Sequence, residues 1–223
     1  MCFSTTASFV TAGVTGAIGL VCIGRTERPQ QLPLAVAPII FAIQQGIEGV
    51  LWLSLSGEID RSVSLPLTAL FLLVAEVFWP IYVSFAVLMS EPSRLRRRFM
   101  MPCLAAGVCV SAYLFWSMFI GLRSAEIIDG HIVYPSQYEP SVILALGYLA
   151  ATVLPLMLSS QRTIVVLGGI IFLGLVTACI FYWEAFVSVW CFFAAAASVV
   201  ILGHFEQSRR AHLHIAPAEP RRV

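Results

Sequence analysis

Residues 41–52 read F-A-I-Q-Q-G-I-E-G-V-L-W, and in this apolar setting Gln44, Gln45 and Glu48 are the groups best suited to do chemistry. Gln44 and Glu48 are four residues apart and Gln45 and Glu48 three. On a helix all three therefore share one face, with Trp52 one further turn along it. A face turned to lipid would not collect two amides and a carboxylate. Amide oxygens beside a carboxylate can accept from a proton carrier, a cation or a small polar molecule, so the face reads as a binding site. A second carboxylate, Glu76, lies in L-L-V-A-E-V-F-W-P near the middle of the next apolar stretch. Pro80, four residues on, cannot donate the helical bond to the Glu76 carbonyl, which predicts a kink there. If consecutive helices pack side by side, Glu48 and Glu76 face one cavity and a proton shared between them relieves their repulsion. Glu184, at Tyr182-Trp183-Glu184, is a further candidate.

The elements that must hold these groups are membrane helices. The chain has 223 residues, 59% hydrophobic and 11% charged, against about 25% charged in soluble domains. Apolar stretches approach or exceed the ~20 residues that cross a bilayer. Seven spans fit, at 6–24, 33–55, 66–89, 99–122, 140–159, 163–182 and 185–205. The expected fold is an all-α integral membrane protein, a seven-transmembrane-helix bundle spanning 1–206, followed by a basic, disordered tail at 207–223. On a rise of ~1.5 Å per residue, Glu48 lies about 6 Å outward of its span's midpoint, too deep for a short side chain to reach water easily. Gly46 and Gly49 permit close helix approach.

Orientation follows from arginine, since the chain has no lysine. That absence rules out a lysine Schiff base. Eleven of the thirteen arginines fall on one side of the threading, and only Arg61 and Arg123 on the other. The arginine-rich side should be cytoplasmic, which places the N-terminus outside and the C-terminus inside, in a multi-pass protein of the cell inner (plasma) membrane. Arg94, Arg96, Arg97 and Arg98 read as topology anchors against anionic headgroups of the lipid bilayer. With no aromatic interleaving or RNA-binding motif, nucleic acid is not an expected partner; a homo-oligomer is compatible with the sequence. The N-terminus lacks the positive start of a cleaved signal peptide, so the first apolar stretch is expected to be a retained helix.

Outside the helices, A-E-I-I-D-G-H-I-V-Y at 125–134 places Asp129-Gly130 between two β-rich runs, which predicts a small external β-hairpin, either a connector or a lid over the outer mouth. Tyr113, Trp116, Trp183 and Trp190 suit an outer aromatic belt. Cys2, Cys179 and Cys191 fall near the outer side, where a disulfide is chemically allowed, but spacing selects no pairing. No phosphate-loop, zinc-protease or nucleophile-elbow motif is present. The histidines do not sit at one depth as a metal or haem site would require, and no cofactor is specified.

The opening M-C-F-S-T-T-A-S-F together with Q-Q-G-I-E-G-V-L-W resembles an uncharacterised bacterial family of small multi-pass membrane proteins. That family has an M-C-F-S-x-x-A-S-F start and a His-Gln-x-x-Glu-Gly-x-x-Trp element. Gln45, Glu48, Gly49 and Trp52 match the element, while Gln44 stands where the family has histidine. The resemblance implies membrane location and no activity. Taken together, the residues point to binding of a proton, cation or small polar molecule in an outward-opening polar and aromatic cavity, most simply for transport. The alternatives are a membrane-embedded enzyme working with carboxylates, or a seven-helix sensor signalling through the basic loops.

Overall fold

The computed structural model describes residues 4–121, 123–135, 141–181 and 186–215. It is mostly helical, and among the described residues six helical stretches are long and apolar enough to cross a membrane. These are Thr5–Gly24, Pro29–Leu55, Arg61–Ser90, Arg94–Ile120, Arg162–Phe181 and Val189–Arg210. The first is helix α1 (Thr5–Gly24), started by the Ser4 hydroxyl, which accepts from Ala7 N–H at 3.2 Å as an N-cap should. Helix α2 (Leu32–Leu55) runs back along it. The two meet through small residues, because Gly19 lies against Ile39 and Gly49 against Phe9 so closely that neither has room for a side chain. Such close approach is how apolar helices gain packing where lipid offers no hydrophobic drive.

The third stretch is divided by its own sequence into α3 (Ser64–Leu72), a π-helical turn over Leu73–Phe78, and α4 (Trp79–Ser90). Pro80 explains the wide turn. In π register the carbonyl five residues before Pro80 is that of Ala75, and proline has no N–H to give it. The Tyr148 hydroxyl donates to that carbonyl instead at 2.5 Å, and the Ser111 hydroxyl donates to the Val77 carbonyl at 2.5 Å. Helix α5 (Arg94–Ile120) follows, with Gly107 pressed against the Pro80 carbonyl.

The expected span at 140–159 is not one continuous helix. It is α6 (Val142–Thr152) followed, after a break at Val153, by the short α7 (Leu154–Met157). The cause is Pro155, which cannot bond the Ala151 carbonyl; the Ser84 hydroxyl of α4 fills that place at 2.7 Å. The chain continues through α8 (Arg162–Phe181), α9 (Phe186–Ala196) and α10 (Ser198–Ile215). The predicted break at Tyr182-Trp183-Glu184 lies outside the described residues. Helix α10 continues to Ile215, so residues 207–215 of the stretch expected as a disordered tail are helical.

The hairpin forms as its turn residues require. Strand β1 (Glu126–Ile128) pairs antiparallel with β2 (His131–Val133), with Ile128 opposite His131. Asp129 at φ 49° and Gly130 at φ 75° make the two-residue turn, the left-handed geometry for which Asp-Gly is suited. Helix α2 is the hub, touching α1, α3, α4, α9 and α10. One apolar core occupies the arginine-rich half, around Phe41, Trp79, Met100, Leu156 and Phe205; a second lies under the hairpin, around Leu51, Trp52, Phe71, Ile132 and Tyr134.

Candidate functional site

Gln44 joins three helices. Its Oε1 accepts from Trp79 Nε1 of α4 at 2.7 Å, and its Nε2 donates to Cys191 Sγ of α9 at 3.2 Å. An indole N–H can only donate, so it fixes which end of the amide faces α4. Trp79 is held in turn by stacking on Phe41, with ring centroids 4.0 Å apart. Both atoms of the amide head are therefore used.

The next turn of α2 is arranged differently. Gln45 Nε2 donates to Glu48 Oε2 at 3.2 Å, and the Glu48 residue is 0% exposed. Gln45 Oε1 is buried and has no hydrogen-bond partner among the described residues; the same holds for Trp52 Nε1, one turn beyond Glu48, and for the Ser8 hydroxyl of α1. A buried donor or acceptor left unmade costs about 1–3 kcal/mol, so such groups in one region are a chemical signal. Ser8 shares its buried face with Gly19, the face that packs on α2. Gln44, Gln45, Glu48 and Trp52 thus occupy one buried face, as their spacing predicts.

Glu76, the second candidate carboxylate, is engaged by a basic residue. Lying in the π-helical turn, it makes an ion pair with Arg123, the side chains being 14% and 16% exposed. Arg123 comes from the connection between α5 and the hairpin, so a basic residue from outside the spans meets the carboxylate. The two acids remain neighbours in one sense, since the Cys191 thiol lies within electrostatic reach of both.

The hairpin covers this end of the bundle. Ile132, Val133 and Tyr134 are buried, and Tyr134 stacks on Phe71 of α3 with centroids 5.1 Å apart. Ile132 and Tyr134 share one core with Trp52 and Cys191, which sets the hairpin at the Trp52 end of the α2 polar face. Trp190 is buried too, set edge-on to Tyr148 at 5.3 Å. Of the described residues expected in an aromatic belt, Tyr113 and Trp116 are strongly exposed and Trp190 is not. Glu184, Trp183 and Cys2 lie outside the described residues. Cys179 and Cys191 are free thiols, and Cys191 is buried, turned inward by α9 onto Gln44.

At the opposite end, a polar joint escaped the sequence reading. Glu91, between α4 and α5, is buried and accepts from Ser93 N–H at 3.0 Å, Ser159 Oγ at 2.9 Å, Ser160 N–H at 2.8 Å and Ser160 Oγ at 2.5 Å. Burial pushes its pKa up, but the bonds from Ser160, Ser93 and Ser159 outweigh that and hold it below the ordinary carboxylate value. Gln161 Nε2 donates to the Ser90 carbonyl at 3.0 Å, closing the joint. Arg96 also serves it, its Nη1 donating to the Leu158 and Ser159 carbonyls at 2.9 and 2.8 Å. Arg94 and Arg98 are exposed and Arg97 half-buried, so Arg96 alone of the four expected anchors is shown tying loops together. Nearby, Arg25 pairs with Glu206, which also takes Arg210 at 3.3 Å. The only sequence signal for Glu91 was a carboxylate beside Pro92, which reads as an ordinary exposed turn.

Among the described residues no group of three or more His, Cys, Asp or Glu side chains converges as metal ligands would. Comparison with curated proteins and with solved structures finds no match to this chain. A family model, described as "Family of unknown function (DUF6629)", matches residues 1–216. With nearly the whole chain covered, the protein belongs to this family of unknown function.

Proposed function

We propose that the protein is a multi-pass inner-membrane protein that binds a proton, a cation or a small polar molecule at Glu48 and moves it across the bilayer. In this reading the six long apolar helices and the broken α6–α7 pair make seven crossings. The arginine-rich end faces the cytoplasm, and the hairpin lies outside. The observation that carries the proposal is the wholly buried Glu48 carboxylate, bonded to Gln45 and flanked by buried polar atoms with no hydrogen-bond partner among the described residues. An ionisable group at that depth is expensive to keep for packing alone. The hairpin core over Trp52 supplies a cover at one end, and the π-helical turn beside Glu76 supplies a place where the helix can change register.

The test uses the purified full chain reconstituted in vesicles, with proton and alkali-cation fluxes read by entrapped dyes and a panel of small polar solutes screened by thermal shift. Glu48→Gln and Glu48→Ala should abolish the flux or shift seen with the unaltered protein. If both variants fold normally and every flux and shift matches the unaltered protein, Glu48 is not a binding group.

A further inference from the structure

We infer that the substance Glu48 exchanges is the proton, delivered by ordered water held between Gln45 and Trp52. This rests on the binding site proposed above and names what it takes.

The first observation is the order of groups along α2. Gln45, Glu48 and Trp52 are spaced three and four apart, so one helical face carries an amide, then a carboxylate, then an indole, rising toward the hairpin. The second is what those groups leave unmade. Gln45 gives its N–H to Glu48, so its Oε1 is an acceptor awaiting a donor. At the other end Trp52 Nε1 is a donor awaiting an acceptor. Both residues are more than nine-tenths buried.

That pairing of one acceptor and one donor on either side of a carboxylate selects among the possible ligands. A bare alkali cation is served by oxygen acceptors all round, and an N–H donor at one end of the site opposes it. Two further oxygens of the polar region are already engaged, Gln44 Oε1 by Trp79 and Glu76 Oε2 by Arg123. Water donates and accepts, so a short file of it serves Gln45 Oε1 at one end and Trp52 Nε1, seven residues or about 10 Å further along the helix, at the other; buried waters are found where about three polar partners meet. The Ser8 hydroxyl, on the face of α1 that packs against α2, supplies a further partner of either sense.

Such water gives the proton a path. The water next to Glu48 passes one proton to a carboxylate oxygen and takes one from the water beyond it, so that a proton moves and no water is consumed. Trp52, in one core with Ile132 and Tyr134 of the hairpin region, stands at the entrance. Gln44, whose amide is used up by two other helices, takes no part.

Infrared spectra of the full chain in phosphatidylcholine vesicles, recorded in H2O and after transfer to D2O, test this. The expected result is a carboxyl band that is absent in Glu48→Gln and shifts on transfer to D2O. Its exchange should slow by about tenfold in Trp52→Phe, as loss of one net hydrogen bond along the path implies. Gln45→Leu should slow it likewise, and Trp79→Phe, which cuts only the Gln44 joint, should leave the rate unchanged. The inference is overturned if Glu48→Gln removes no carboxyl band, or if exchange in Trp52→Phe and Gln45→Leu proceeds as in the unaltered protein. If Glu48 proves essential for flux of another ion or solute while no such band exists, the binding site stands and only the proton assignment falls.

Discussion

Glutamine in place of Glu91 keeps the shape of the side chain and changes only which of its atoms can accept a hydrogen bond. Each carboxylate oxygen of Glu91 takes one backbone N–H and one hydroxyl: Oε1 has Ser93 N–H and Ser160 Oγ, and Oε2 has Ser160 N–H and Ser159 Oγ. Whichever way an amide is turned, its NH2 therefore confronts one hydroxyl and one backbone N–H. The hydroxyl can rotate and accept, but the backbone N–H cannot. One donor is left facing another, at about 1–3 kcal/mol, and two charge-assisted bonds become neutral ones. The sum is about 2–4 kcal/mol. At about 2–4 °C per kcal/mol for a chain of this size, the unfolding midpoint in detergent should fall by about 4–16 °C. Glu58→Gln, where the carboxylate takes an exposed Ser56 hydroxyl, is the control and should change little. Because the folded-state pKa of Glu91 is depressed, its contribution is present above the unfolded value, about 4.3. It is lost as pH falls through the folded value. The gap between the unaltered protein and Glu91→Gln should accordingly be full at neutral pH and close in acid. A variant that unfolds with the unaltered protein at neutral pH, or a gap that persists in strong acid, would refute this account of the joint.

Two further perturbations probe the hairpin end. Gly130→Ala forces a side chain into φ 75° and should destabilise the hairpin by about 1–2 kcal/mol, read as faster proteolytic cleavage between α5 and α6; cleavage at the unaltered rate would show that the turn does not limit opening. For the ion pair, Glu76→Gln and Arg123→Gln should each cost about 1–3 kcal/mol in thermal unfolding, because each leaves a largely buried charge alone. The double variant should cost less than the two together by about 1–2 kcal/mol, and strict additivity would mean the pair is not energetically coupled.

The parts of the fold that depend on near neighbours in sequence were legible, and those that depend on distant ones were not. Long apolar runs mark the helices, because a bilayer-length stretch has few other uses. Asp129-Gly130 marks the turn, because few other residue pairs take that backbone so readily. Pro80 foretold a distortion, though not that the helix would widen to a π turn with Tyr148 and Ser111 serving its carbonyls. Pro155 carries the same signal, but within an otherwise unbroken apolar run it did not displace the reading of one span. The partner of Glu76 was not legible, because the Arg123 that meets it lies 47 residues away in a connecting loop. Glu91 was passed over for the same reason, since the serines that bury it are 68 and 69 residues further on. Polar spacing shows which side chains share a helix face; it carries no information about which helix that face will meet.

The polar face of α2 raised a choice between a site and a helix joint, and hydrogen-bond accounting divides it by residue. Gln44 belongs to the joint: both ends of its amide are spent on other helices, and Trp79 is itself clamped by Phe41. Substituting it should loosen α2 from α4 and α9 without regard to any ligand. Gln45, Glu48 and Trp52 are the other half. Beside the buried Glu48, Gln45 Oε1 and Trp52 Nε1 have no hydrogen-bond partner among the described residues, and Trp52 shares a core with the hairpin. A joint optimised for stability would have used those atoms, as the Glu91 joint does with four bonds at the opposite end of the bundle. The contrast between those two buried carboxylates, one saturated and one bordered by unused donors and acceptors, is the reason for placing function at Glu48.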